Sequence, residues 1–503
     1  MKPRRRKRDA GLCFRPYLVL RPGLYLSVLV LFALTLPAAG CTGPSSDPNP
    51  QAAAREAALA DFQRYEQSHF GFFRAGGSYP YVKELNVHWQ RPHPGAIVWG
   101  AIEKTEGDYD WSEVDRSASE AQDYGILILA TIWPYADWDQ EKCHEKMPPS
   151  PREHFPTLGD YRGKPCDTGA YERFLKALVE RYDGDGKGDM PGLVYPIKYW
   201  EVINEPELTA GRPFFKSDSP STEYLEVLRT TSETIKEADP DARVTNGGIA
   251  SLNPNLRPFW EAVLGGEGSG LIDVLTVHSF LKEADLNLIP LNDFMTEFGI
   301  DKPVWVTEIM FAINRSFRMA PMPGPDTSDP AFLEPGGATS TLRDLTQDEW
   351  AAVMVKSFVA AYGRGADKLF YMALDNATPA ELSSLLVYCS EKKGEEKDED
   401  HFYLAGCQRQ KSFFAYKTLV EKIDYFDAVD VLAETANVLA EGRYRFSIGD
   451  RTTYVLWGSG PLPAEIKGRI KLTDIYGSQS EVDAAGVALS GTPVYVEIVE
   501  EKG

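Results

Sequence analysis

Short apolar runs alternate with amphipathic stretches from about residue 66 to residue 425. Eight of the runs read as strands: 69–73, 86–91, 126–133, 197–204, 243–249, 272–280, 303–309 and 368–374. Between most of them the apolar positions recur at helical spacing, over 111–124, 171–182, 222–238, 291–298 and 346–362. Near-continuous apolar strands alternating with helices predict a parallel sheet buried on both faces. Eight such units predict an α/β fold, a (β/α)8 TIM barrel with long loops. A doubly wound open sheet is the alternative, and the first strand lacks the Gly-rich phosphate turn that such a sheet commonly carries. Lys411 to Ile423 reads as the last barrel helix. Beyond Tyr425 the period changes. "YRFSIG", "TTYVLWG", "IKLTDIYG" and "PVYVEIVE" are short strands with turn residues between them, which predicts a small β-sandwich over 426–503. Two loops are long, Phe311 to Leu345 and Asn376 to Gln410, and in a barrel both follow strands at the active face.

The first forty residues follow different rules. Six basic residues between Lys2 and Arg8 precede an apolar run from Leu24 to Leu36, which is short of the roughly 20 residues a membrane span needs. Small residues then lead to Gly40-Cys41. A basic head, a short apolar middle and a small-residue end describe a secretory signal. "PAAGC" resembles a bacterial lipobox, which implies cleavage before Cys41, lipid on its thiol and anchorage to the membrane of a bacterial envelope. A plain signal peptide or an uncleaved anchor is the alternative. Residues 41–65 then form a Pro/Ser/Gly-rich tether, Thr42 to Gln51, and an Ala-rich helix.

The chain has 503 residues and a formal net charge of −21. That charge disfavours nucleic acid as a partner, since no overall cationic field draws phosphates. Cys143, Cys166, Cys389 and Cys407 remain in the exported part. Pairing of neighbours, Cys143 with Cys166 and Cys389 with Cys407, closes one long polar loop each; four free thiols are the alternative. No C-x-x-C spacing occurs, and no metal site is expected.

In a barrel of this kind the chemistry sits where strands end. The polar strand ends are Arg91, Asn204-Glu205, His278 and Glu308, with Trp133 and Trp138 after the third strand and Tyr371 on the eighth. Glu205 and Glu308 fall on strands four and seven, which face each other across the mouth. Two facing carboxyls can cleave a glycosidic bond by double displacement, one as acid and one as nucleophile, without any cofactor.

"WEVINEPE" followed by "VWVTEIM" resembles clan A of the retaining glycoside hydrolases, which includes families 5, 39 and 42, over roughly residues 66–425. The segment "IEKTEGDYDWSEVD" (Ile102 to Asp115) is similar in habit. The resemblance implies Glu205 as acid/base, Glu308 as nucleophile, Asn204 on the substrate 2-hydroxyl and Arg91 orienting the nucleophile. It also implies an oligosaccharide or polysaccharide as substrate. Phe280 stands where members often have a Tyr that contacts the nucleophile, and Tyr371 is the nearest match to a Trp beneath the sugar on strand eight.

Each residue also has a plainer reading. Glu205 is a solvated turn residue or an acid; Glu308 is a helix cap or a nucleophile. His278 is a structural histidine or a sugar-site donor. Trp133, at a strand end, reads as a sugar platform, and Trp138 either as a platform or as a pin for its loop. Glu201 reads as a buried ion pair with Arg91, and Trp89, Trp99 and Asn246 as packing or loop residues. A non-catalytic glycan-binding lipoprotein on a barrel scaffold is the second functional class, and an envelope structural protein is the third.

Overall fold

The structure, a computed structural model, describes residues 50–148, 155–209, 213–280, 286–310, 345–372, 374, 384–393, 402–435 and 437–499. The expected signal, Cys41, the expected tether up to residue 49, nearly all of the long loop after the seventh strand and most of the charged run near residue 395 lie outside the described residues.

Eight parallel strands form the core sheet: β1 (Phe70–Phe73), β2 (Trp89–Arg91), β3 (Leu127–Ile132), β4 (Tyr199–Val202), β5 (Arg243–Thr245), β6 (Leu275–Phe280), β7 (Val304–Met310) and β8 (Ala366–Met372). Their order is β5-β4-β3-β2-β1-β8-β7-β6, and the bridges Thr245–Val274 and Ile249–Val277 join the two ends. The sheet therefore closes on itself as a (β/α)8 barrel. Asn246 reinforces the closure: its Nδ2 donates to the Thr276 carbonyl at 2.9 Å, and its Oδ1 accepts the Thr276 N–H at 2.8 Å.

Helix α1 (Pro50–Glu66) precedes the barrel. Then α2 (Tyr79–Glu84), α3 (Ser112–Asp123), α4 (Thr168–Tyr182), α5 (Pro220–Ala238), α6 (Arg257–Leu264), α7 (Leu288–Phe298), α8 (Gln347–Gly363) and α9 (Lys411–Ile423) follow the strands in turn. The short α2 and α6 have no counterpart in the sequence reading, because so few turns barely establish a period.

Strand alternation sorts the side chains into layers. Trp89, Leu127, Leu129, Trp305 and Phe370 fill the lower barrel with Phe62 of α1. Lys368 projects among them, 4.9 Å above the Trp89 ring and 5.2 Å above Trp305, and donates to the Glu66 carbonyl at 2.6 Å. Tyr199 donates to the Glu66 carboxylate at 2.9 Å, and the Trp89 indole donates to the Tyr65 carbonyl at 2.9 Å. The end of α1 thus seals the barrel floor, opposite the strand ends that carry the polar residues.

The C-terminal domain is one antiparallel sheet of β9 (Ala428–Glu434), β10 (Gly442–Ile448), β11 (Arg451–Trp457), β12 (Arg469–Thr473), β13 (Gln479–Asp483) and β14 (Val494–Ile498), in the order β9-β10-β11-β14-β12-β13. Tyr444, Phe446, Val455, Trp457 and Tyr495 on one face join the core of the barrel helices. The opposite face, with Tyr454, Leu456, Ile470 and Val496, packs with Leu462 and Leu489 beside a ribbon of Gly460–Pro461 and Ala488–Leu489. The second layer is therefore this ribbon and its loops. Asp424, just past α9, accepts from Ser68 Oγ and His69 N, both at 2.7 Å, and so ties the domain junction to the entry of β1.

Both expected disulfides are present, Cys143–Cys166 and Cys389–Cys407. They close 23- and 18-residue separations in the loops after β3 and β8. Replacing Cys143 and Cys166 together by Ser is expected to lower unfolding stability by about 3 kcal/mol. Urea titration of the protein measures this directly.

Candidate active site

The site assembles at the C-terminal ends of β2, β4, β6 and β7. Alternation places Glu201 of β4 inside the barrel, between the inward Tyr199 and the mouth. The strand then leaves regular geometry. Ile203 and Glu205 both adopt positive φ, 64° and 43°, a conformation that costs a non-glycine residue about 1 kcal/mol or more. This kinked turn carries Asn204 and Glu205 into the mouth. Pro206 stiffens the chain just beyond.

On β7 the device is a bulge. Val277 of β6 pairs with Val306, but the next residue, His278, pairs with Glu308. Leu369 and Tyr371 of β8 likewise pair with Val306 and Ile309. Both neighbours thus show one extra residue on β7 between Val306 and Ile309. Trp305 points inward, so strict alternation would put Glu308 on the outer face; the extra residue turns it toward the mouth.

Arg91 is fully buried and connects the parts. Its Nε donates to Glu201 Oε2 at 2.7 Å, and its Nη1 approaches Glu308 Oε2 at 3.5 Å. A third contact runs from Nη2 to the Asn204 side-chain oxygen. Glu201 also accepts from Thr131 Oγ1 at 2.7 Å, which fixes it as the structural counter-ion of Arg91. His278 lies between the two candidate catalytic acids. Its Nδ1 is 2.8 Å from Glu205 Oε1 and 3.8 Å from Glu308 Oε2. These two oxygens are therefore no farther apart than the sum of those distances, about 6.6 Å.

Burial dominates the electrostatics. It pushes the Glu205 carboxyl up to about 8, with Arg91 pulling down and Glu201 pushing further up. Burial also raises Glu308, to about 7; His278 and Arg91 hold it down while Glu205 raises it. His278 is itself pushed down to about 4 by burial and is neutral at physiological pH. A neutral ring with its proton on Nδ1 donates to Glu205 Oε1, which leaves Oε2 of that carboxyl to carry the acidic proton. What distinguishes Glu308 is its neighbours: the Arg91 guanidinium lies 3.5 Å from its carboxylate, and both His278 and Arg91 favour its charged form.

The three aromatic candidates for sugar platforms make other contacts. Because Phe370 points into the barrel, Tyr371 points out of it, against Phe72, Phe358 and Tyr416 at ring distances of 6.5, 5.8 and 5.7 Å. Trp133 is fully buried and donates its indole N–H to the Pro94 carbonyl at 2.7 Å, beneath His93 and Phe214. It is a wall residue. Trp138 pins its loop: it packs edge-on to Trp99 and donates to the Glu103 carbonyl at 2.7 Å. The side chain of Phe280 lies outside the described residues.

The structure adds residues that the sequence reading passed over. His93 sits among Phe73, Trp133, Phe155 and Phe214, an aromatic wall contiguous with Arg91 through Phe73. Glu207 is buried two residues after Glu205. Gly248 has φ of 55°, and a Cβ there would meet the His278 ring at 2.1 Å. The doubled glycine at 247–248, so close to a strand end, is the one signal that could have marked that loop. Among the described residues two clusters have metal-like spacing. In Cys143, His144 and Cys166 the thiols are bonded to each other, and Asp183, Asp185 and Asp189 lie in the loop after α4.

No protein-family profile and no curated protein sequence matches the chain. Solved structures do. A family 39 glycoside hydrolase from the gut symbiont Bacteroides cellulosilyticus WH2 superposes with a TM-score of 0.52 at 14% identity, over 86% of this chain and 81% of its own. A family 39 β-xylosidase from Caulobacter crescentus gives 0.52 at 15% identity, over 86% and 96%. A family 30 endoxylanase from Clostridium papyrosolvens C71 gives 0.51 at 14%, over 86% and 96%. This chain therefore shares the barrel-plus-sheet fold of these glycoside hydrolases.

Proposed function

We propose that the protein is a retaining glycoside hydrolase acting on β-linked glycosides or glycans. One observation carries the reading: carboxyls from β4 and β7 converge on a single nitrogen, His278 Nδ1, at 2.8 and 3.8 Å. With the nearest oxygens no more than about 6.6 Å apart, the arrangement admits the roughly 5–5.5 Å spacing at which the second carboxylate acts as a direct nucleophile. The position of Arg91 assigns the roles. Glu308, next to the guanidinium, attacks the anomeric carbon as carboxylate. Glu205, held protonated, gives its proton to the departing oxygen. Glu205 then takes a proton from water, the water attacks the glycosyl ester, and Glu308 leaves as carboxylate. The Asn204 amide, whose oxygen is engaged by Arg91, presents its N–H2 beside Glu205, where it can bind the sugar 2-hydroxyl.

The protein works on the outer side of a bacterial membrane, held by lipid on Cys41. The signal-like first forty residues and the two disulfides, which persist in oxidising compartments, support this. The polypeptide reaches the barrel through α1, at the floor opposite the mouth, so a tethered enzyme can present its site away from the bilayer. Proton NMR of the first anomer released from an aryl β-glycoside panel tests the activity. The β-anomer is expected to appear first; an α-anomer as first product excludes double displacement.

A further inference from the structure

Glu207 has no role in the mechanism above, yet it is nine-tenths or more buried, with 3% of its surface exposed. Its Oε1 accepts the backbone N–H of Ala250 at 2.7 Å. Ala250 ends the loop that follows β5, and that loop touches the site at three further points. Gly247 accepts the Glu205 N–H at 2.5 Å. Gly248 lies flat against the His278 ring. Ile249 accepts the His278 N–H at 2.8 Å and donates to the Thr276 carbonyl at 3.0 Å. Tyr224 of α5 holds the same loop down, accepting the Gly247 N–H at 2.8 Å while donating to the Val202 carbonyl at 3.1 Å. The contacts form a ring: Glu205, Glu207, Ala250, Ile249, His278 and back to Glu205. Strained φ values at Ile203 and Glu205 persist only where surroundings over-determine them, and this ring supplies the constraint.

We propose that Glu207 is a positioning residue: its carboxyl clamps the kinked turn bearing Glu205 to the 246–250 loop and so fixes the acid relative to His278 and the nucleophile. The inference rests on the reading of Glu205 as the acid. The second oxygen, Oε2, is buried and makes no hydrogen bond of good geometry among the described residues, although the Trp260 indole of α6 approaches the carboxyl. A carboxylate so placed is costly, and burial with Glu205 nearby pushes Glu207 up to about 8. The titratable and charged groups around it are Glu201 and Glu205 on β4 and its turn, Tyr224 on α5, His278 on β6 and, behind Glu205, Arg91 on β2. Among the described residues no cation pairs with Glu207. It therefore serves as a neutral clamp at pH 6, and Gln is its isostere.

The test compares Glu207→Gln and Glu207→Ala with the unaltered protein. At pH 6 the Gln variant is expected to keep kcat within about threefold. The Ala variant, without the Ala250 contact, is expected to lose about 100-fold in kcat with KM nearly unchanged, the scale of a 1 Å misplacement. Read as kcat/KM, which reports formation of the glycosyl ester, the loss should be large for poor leaving groups and small for 2,4-dinitrophenolate, which needs no acid. An Ala variant with full kcat on poor leaving groups, or a Gln variant as impaired as Ala at pH 6, overturns the proposal. A second readout needs neither turnover nor the Ala variant. Carbon-13 NMR titration of labelled glutamate carboxyls should show one ionisation, deleted by Glu207→Gln, that lies well above the ordinary carboxylate range. A Glu207 carboxyl already ionised at pH 6 sinks the neutral clamp even if the protein hydrolyses no glycoside tested, whereas inactivity alone sinks only the assigned activity.

Discussion

Glu308→Ala is expected to abolish turnover of aryl β-glycosides, by roughly 10⁴-fold or more, the scale seen when a covalent nucleophile is removed. Among the described residues the Glu308 carboxylate combines the required features. It lies at the mouth, across from Glu205, and faces a guanidinium at 3.5 Å. Alanine at this position leaves nothing to form the glycosyl ester. It also opens a space beneath the anomeric carbon that azide can fill. Added azide is then expected to return an α-glycosyl azide, because attack occurs once, from the face that Glu308 vacated. In the unaltered protein a 2-deoxy-2-fluoro β-glycoside should trap a single ester on Glu308, seen by intact mass and peptide mapping. A label on Glu205 or Glu207 instead, or a β-configured azide from Glu308→Ala, reverses the assignment.

Glu205→Ala is expected to produce the second largest effect, a loss of about 10²–10⁴-fold for poor leaving groups. The loss should shrink for activated ones, because protonation matters only where the departing oxygen is basic. The second step then becomes limiting, since no base remains to activate water. Azide, which needs no base, is expected to restore turnover and to give a β-glycosyl azide by attack on the accumulated ester. The two variants thus yield azides of opposite configuration. The raised pKa of Glu205 is expected to set an alkaline limb of activity near pH 8 in the unaltered protein, and that limb should vanish in Glu205→Ala with an activated substrate. If Glu205→Ala slows all leaving groups equally and azide has no effect, the acid lies elsewhere.

The site could be read from strand ends because the barrel leaves few places for chemistry. Once the runs 197–204 and 303–309 were strands four and seven, Glu205 and Glu308 had to face each other. Arg91 with Glu201 followed from burial, since an inward glutamate in an apolar strand needs a cation. The aromatic residues failed for a geometric reason. A ring at a strand end is equally hydrophobic on either face, so its sequence position does not report its direction. Tyr371 turned outward because Phe370 took the interior, and Trp133 was covered by His93 and Phe214, which come from other loops.

The sequence by itself determined the alternation of strands and helices, the change of period near residue 425 and the two carboxyl-bearing strand ends, and it favoured pairing each cysteine with its neighbour. All of these are local patterns, carried by neighbours along the chain. Tertiary structure alone decided how the carboxyls are aimed and charged. The extra residue on β7 reverses the alternation that would have buried Glu308 on the wrong face. The positive φ values at the end of β4 are held by a loop more than forty residues away, through Glu207 and Ala250. The raised pKa values come from burial among residues of several different strands. Such quantities depend on which groups meet in space, and no pattern within one segment contains them.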